Sequence, residues 1–251
     1  MPCDAKAAIV KATPPRKSLA VKLVERRFAV YSFDQRGFGR SEGPRMHIER
    51  WDDVRGDFTC FLKLVHTLEP GKPVFAYGIS FGACQVLDQA IVSPHLLNGV
   101  IAAGFSTRPV GVVPPAVLRI ITIMGTIFPK KTMPADLNQP AFPGAREKLA
   151  GTDLWRDPLC PVTMTMGFTR QLFKRQSELA NELQFITIPV LHQQGLEDPI
   201  AQPDPSIAKK IGSSDYICKE YANTDHFLLE RETRESVLED ICLWLEERSA
   251  R

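Results

Sequence analysis

Residues 74–91 constrain this chain more tightly than any other stretch. Val74-Phe75-Ala76-Tyr77 is a short apolar run entered through Gly71-Lys72-Pro73. Ala83, Val86, Leu87, Ala90 and Ile91 then recur at i, i+3, i+4, i+7 and i+8, which predicts a strand passing directly into a helix with one buried face. At the junction stands Gly78-Ile79-Ser80-Phe81-Gly82. The glycines at 78 and 82 are expected to permit a sharp turn and a close approach of strand and helix, so that the Ser80 hydroxyl projects from the sheet. Taken alone, Ser80 could be a turn serine, and the partners further along decide its meaning.

The remainder of the chain repeats the alternation. Strand-like runs occupy Phe28 to Asp34, Val74 to Tyr77, Gly99 to Phe105, Ile186 to His192 and Tyr216 to Tyr221. Trp51, Val54, Phe58, Phe61, Leu62 and Val65 line the inner face of an intervening helix. A last helix begins near Thr233, with Val237, Leu238, Ile241 and Leu245 facing inward. This order predicts an α/β fold: a mostly parallel sheet covered by helices.

Residues 106–184 break the rhythm. They are rich in Pro and Met, and their apolar residues fall at helical spacing, which predicts a helical cap inserted over the strand ends. The organisation expected is a first part of the α/β core at 1–105, a cap insertion at 106–184 and a second part of the core at 185–251. Ala116 to Phe128 is strongly apolar and bounded by Pro115 and Pro129. It is too short to span a bilayer, which needs about 20 residues. Two readings stand: a cap helix packed on the domain, or an exposed apolar helix that touches a membrane or admits a lipid chain.

A net charge of +2 from 31 basic and 29 acidic residues along the chain offers no electrostatic footprint for nucleic acid. Six scattered cysteines without a C-x-x-C pair read as free thiols of a reducing compartment. No secretory signal is visible at the N-terminus. The expected setting is the cytoplasm or a membrane periphery.

A serine hydroxyl needs a base, and the base needs an orienting carboxylate. In open α/β sheets such groups sit beyond the carboxyl ends of strands. Asp198 follows the strand ending at His192, with Glu197 as an adjacent competitor. His226 follows the strand ending at Tyr221, with Asp225 beside it. His192 lies within a strand and reads as structural, while His47, His66 and His95 have no carboxylate at suggestive spacing. One further loop, Asp34-Gln35-Arg36-Gly37-Phe38-Gly39, is glycine-rich, and Asp34 and Arg36 are expected to pair across it. No helix with a Lys-Ser/Thr start follows it, which argues against a phosphate loop.

Taken together, D-Q-R-G-F-G-R-S-E-G-P, G-I-S-F-G, G-L-E-D-P and D-H-F-L-L-E resemble, in order, the monoacylglycerol lipase-like α/β-hydrolases, the serine aminopeptidase S33 or "hydrolase 4" type. Trp155-Arg156-Asp157-Pro158-Leu159-Cys160 and Thr169-Arg170-Gln171-Leu172 look like the cap of monoglyceride lipases. The resemblance spans about residues 18–248 and implies the α/β-hydrolase fold. It further implies Ser80 as nucleophile, His226 as general base then acid, Asp198 as the orienting carboxylate and the Phe81 backbone N–H as an oxyanion donor. No metal or organic cofactor is implied.

The reaction expected is ester hydrolysis through an acyl-enzyme, with monoacylglycerol giving fatty acid and glycerol. An S33-type aminopeptidase and a catalytically impaired binding protein are the alternatives. The last is motivated by a departure. The family carries a strand and a His-Gly-x-Gly-type loop, source of the second oxyanion donor, before the helix corresponding to Ser18 to Arg26. Here stand Ala7 to Ala12 and then Thr13-Pro14-Pro15-Arg16, without glycine. Either residues 7–12 fill the place of that strand, or the chain is an N-terminally truncated form of a longer protein. The second reading is preferred, and this form is expected to be slower than its relatives.

Overall fold

The computed structural model describes residues 18–108, 115–134, 159, 163–230 and 232–250. Among these, four parallel strands form one sheet: β1 (Phe75–Ile79), β2 (Gly99–Ala103), β5 (Val190–Gly195) and β6 (Tyr216–Tyr221), in the order β1-β2-β5-β6. Register runs from Phe75 opposite Gly99 to Ile79 opposite Ala103, and Val190 sits opposite both Val100 and Tyr216. Every strand therefore points its carboxyl end to the same edge.

Alternation along β2 divides the core. Val100 and Ala102 face α2 (Trp51–Leu68) and α3 (Phe81–Val92), where Phe58, Leu62, Val86 and Ala90 are buried with them. Ile101 faces the other layer, α1 (Leu19–Glu25) and α6 (Arg234–Ser249), and is buried with Leu23, Ile241 and Leu245. Both faces of the sheet are covered, as a parallel sheet requires. The inner stripe of α2 is the expected one, and Asp52 and Asp53 in its first turn suit the positive end of the helix dipole.

Between β2 and β5 the described residues form α4 (Pro115–Ile127), the short antiparallel strands β3 (Thr132–Pro134) and β4 (Thr163–Thr165), and α5 (Met166–Glu182). Thr165 caps α5 by accepting from Phe168 N, and its own hydroxyl donates to Met46 O at 2.9 Å. Asp88 of α3 binds Arg55 of α2 through Nε and Nη2, at 2.8 and 2.9 Å, and Arg175 of α5 at 2.6 Å. These contacts fasten α5 to the core. The segments Ala7 to Ala12 and Trp155 to Pro158 lie outside the described residues.

Four sequence expectations are corrected. Phe28 to Asp34 forms no strand, because no neighbouring strand among the described residues offers it backbone partners. Its side chains still pack: Phe33 lies 4.5 Å from the Phe61 ring, and Tyr31 donates to Glu69 at 2.7 Å. Arg36 pairs with Asp57 on α2, at 2.5 and 2.7 Å, instead of with Asp34, whose carboxylate takes the Arg40 N–H. The strand expected at 186–192 is shifted to 190–195, since Pro189 lacks the N–H a ladder needs. Cys84, Cys218 and Cys242 are free thiols as expected, whereas Cys60 is disulfide-bonded.

Candidate active site

The turn from β1 into α3 gives Ser80 φ 54° and ψ −110°. A non-glycine residue there is strained by about 1–3 kcal/mol, a cost borne only where the surroundings enforce it. The enforcement is visible. Ser80 N donates to Ala103 O at 2.9 Å, and Ser80 O accepts the Cys84 N–H at 3.2 Å. A side chain at Gly78 would meet Gly82 O at 2.2 Å, so the strand–helix approach excludes any Cβ there. Gly82 itself has open space around its missing Cβ, so the expected steric need for glycine holds at 78 and not at 82. Phe81 is the first residue of α3, where a backbone N–H has no intrahelical acceptor.

Asp198 and His226 arrive from the ends of β5 and β6. His226 Nδ1 lies 2.7 Å from Asp198 Oδ2. The other carboxylate oxygen accepts the N–H groups of Ile200 and Ala201, both at 2.8 Å. Asp198 is only 2 % exposed, and its three hydrogen bonds come from nearby backbone and from the imidazole. A carboxylate accepts only, so the His226 proton sits on Nδ1 and the bare Nε2 is available as a base. Glu197, the adjacent competitor, is exposed, and Asp225 turns back to accept the Phe227 N–H at 3.0 Å.

Ser80 and His226 line one cavity of about 70 Å³, with Phe81, Gly104, Phe105 and Gln176 among its walls. No hydrogen bond joins Ser80 Oγ to His226 in this structure. Gly104 was missed by the sequence reading. It follows β2 at φ +58°, and a Cβ there would stand 3.2 Å from His226 Cε1 and 3.7 Å from Asp198 Oδ2. Only its position directly after a strand hinted at this. His192, by contrast, does not line the cavity: burial pushes its imidazole down to about 4, and Nε2 donates to Phe105 O at 3.0 Å.

A parallel sheet with a strained serine between strand and helix, and a buried acid–imidazole pair at the same edge, defines an α/β-hydrolase. The chain belongs to the family described as serine aminopeptidase, S33 (Hydrolase_4), whose profile matches residues 16–234. It is 22% identical to a monoacylglycerol lipase of Mycolicibacterium smegmatis over 219 residues, covering 86% of this chain and 77% of that protein. It is 26% identical to caffeoylshikimate esterase of Arabidopsis thaliana over 238 residues, 88% of this chain and 70% of that one. The crystal structure of Paleococcus ferrophilus monoacylglycerol lipase matches with a TM-score of 0.81 at 23% identity, over 93% of this chain and 89% of that one.

Proposed function

We propose that this protein is a serine hydrolase that cleaves carboxylic esters through an acyl-enzyme, with monoacylglycerols as substrates and fatty acid and glycerol as products. The observation that carries the reading is the hydrogen bond from buried Asp198 to His226, an imidazole that lines the same cavity as Ser80. In this mechanism His226 Nε2 takes the Ser80 hydroxyl proton as Oγ attacks the ester carbonyl. Asp198 holds the ring and stabilises the imidazolium that forms. The Phe81 N–H donates to the developing oxyanion. His226 then protonates the departing alkoxide, glycerol in the monoacylglycerol case, and a water activated by the same imidazole releases the acid. Catalytic hydrogen bonds are often open before substrate binds, so closure of Ser80 on His226 belongs to the substrate complex.

The choice of a lipid ester is supported by the relatives named as monoacylglycerol lipases and by α4. Ile120, Ile123 and Ile127 of that helix are 59, 57 and 60 % exposed, and Arg119, Lys130 and Lys131, close to them in the chain, are exposed as well. An exposed apolar stripe flanked by cations fits the surface of an anionic membrane. No helix among the described residues is long and apolar enough to cross one. Loss of vesicle co-sedimentation in Ile120→Ser/Ile123→Ser checks this contact; unchanged sedimentation contradicts it.

Substrate class is tested by comparing kcat/KM for monoacylglycerols, short p-nitrophenyl esters, phenolic esters and aminoacyl anilides. The proposal expects monoacylglycerols to lead. Preference for the anilides would establish the peptidase reading that the family description carries.

A further inference from the structure

The segment that leaves β2 for the cap is fixed residue by residue. Gly104 N donates to Gln193 O at 2.9 Å. The Phe105 carbonyl accepts from His192 Nε2 at 3.0 Å. Ser106 O accepts from Gln176 Nε2 of α5 at 2.7 Å. Asp204 takes both the N–H and the hydroxyl of Thr107. Of these residues, Gly104, Phe105 and Ser106 wall the cavity beside His226.

One of the holds reaches inside the sheet. His192 is 3 % exposed, and its two ring nitrogens have different partners. The Phe105 carbonyl can only accept, so Nε2 carries the proton; Nδ1 then accepts from the Tyr216 hydroxyl at 3.0 Å. Tyr216 and His192 stand on neighbouring strands, so the ring is pinned from β6 and in turn pins the residue next to Gly104. A Cβ on Gly104, at φ +58°, would stand 3.2 Å from His226 Cε1 and 3.7 Å from Asp198 Oδ2, so the backbone at 104 runs close beside the pair. A small rotation of the 104–105 peptide would therefore shift the backbone that walls the cavity next to the His226 ring.

We propose that His192 is a positioning residue of the reaction: by holding the Phe105 carbonyl it fixes Gly104, and through Gly104 the angle at which His226 meets Ser80. The proposal rests on the Ser80–His226 reading above. It predicts a defect in the chemical step with little change in substrate binding, because Phe105 stays in the cavity wall while the base is misaimed. Misplacement of reacting groups by a fraction of an ångström lowers turnover by about tenfold or more.

The test compares wild type, His192→Leu and His192→Gln in ester turnover, in thermal melting and in the downfield proton NMR signal of the His226–Asp198 hydrogen bond. Glutamine can present an amide N–H where Nε2 stood; leucine cannot. The expected result is a loss of about tenfold in kcat for His192→Leu with KM within about twofold, a shifted His226 proton signal, and recovery of most of both in His192→Gln. Should His192→Leu not fold, Tyr216→Phe removes the hydroxyl from Nδ1, leaving Cys218 Sγ 3.7 Å away, and gives the same pattern at about a threefold loss. An unmoved His226 signal in a folded leucine or phenylalanine variant overturns the proposal. So does an equal fall of the leucine and glutamine variants in step with their melting temperatures. Absence of Ser80-dependent turnover in wild type instead counts against the hydrolase reading, while the NMR signal still decides the role of His192.

Discussion

His226 Nδ1 and Asp198 Oδ2 are 2.7 Å apart although 28 residues separate them in the chain. What joins them is the parallel pairing of β5 with β6, which brings the two strand ends side by side. Gly195, opposite Tyr221 at the end of that ladder, completes the approach, since a Cβ there would strike Thr224 O at 2.4 Å.

Asp198→Asn keeps the shape of this pair and changes its polarity. The amide can present a donor where the carboxylate accepted, favouring the wrong imidazole tautomer. The expected outcome is a fall in kcat of about 10³–10⁴-fold, with KM close to wild type. Steady-state kinetics on a p-nitrophenyl ester reads it. Glu197→Gln, on the exposed neighbour, is expected to leave kcat unchanged.

The Asp88 carboxylate, 1 % exposed, neutralises guanidinium groups from α2 and α5. Asp88→Ala strands Arg175, whose side chain is itself only 5 % exposed. Glu178 and Glu182 still contact Arg175, at 3.2 and 2.6 Å, so the loss is expected at the lower end for a broken buried pair, about 3 kcal/mol. Denaturant unfolding measures it, and a loss below about 1 kcal/mol contradicts the assignment of this pair as the fastening of α5.

Stability below neutral pH carries the mark of His192. Its imidazole titrates at about 4 in the folded protein because burial disfavours the cation, against 6.5 as its ordinary value. Between those limits the unfolded chain binds more protons, so folded stability falls as pH drops from about 6.5 to about 4. The contribution is on the order of 3 kcal/mol at the acid end. In His192→Gln this part of the profile flattens, which unfolding midpoints measured across the range will show.

Local pattern sufficed for much of this architecture. The α2 stripe from Trp51 to Val65 and the turn at Ser80 are written within a few residues of each other, so periodicity and glycine placement reveal them. Phe28 to Asp34 carries the same kind of pattern yet forms no strand, because a strand is a property of two segments and its composition describes only one. The polar side of α3 was illegible for the same reason. Gln85, Asp88 and Gln89 are all buried there, but their partners, Gln35, Arg55, Arg175 and Thr59, come from distant parts of the chain. Asp198 and Glu197 differ by one position, and only the backbone turn that aims the Ile200 and Ala201 N–H groups at Asp198 separates them. Gly104 is intelligible only once the His226 ring is seen beside it.

The central claim is that Ser80 is a nucleophile primed by His226. Its most direct measurement is the rate of covalent labelling by a fluorophosphonate, with the modified peptide located by mass spectrometry, in wild type, Ser80→Ala and His226→Ala. The account predicts an adduct on Ser80, no labelling of Ser80→Ala and a strongly slowed reaction in His226→Ala. A folded wild-type protein that takes up no label, or one labelled equally well without Ser80, contradicts it.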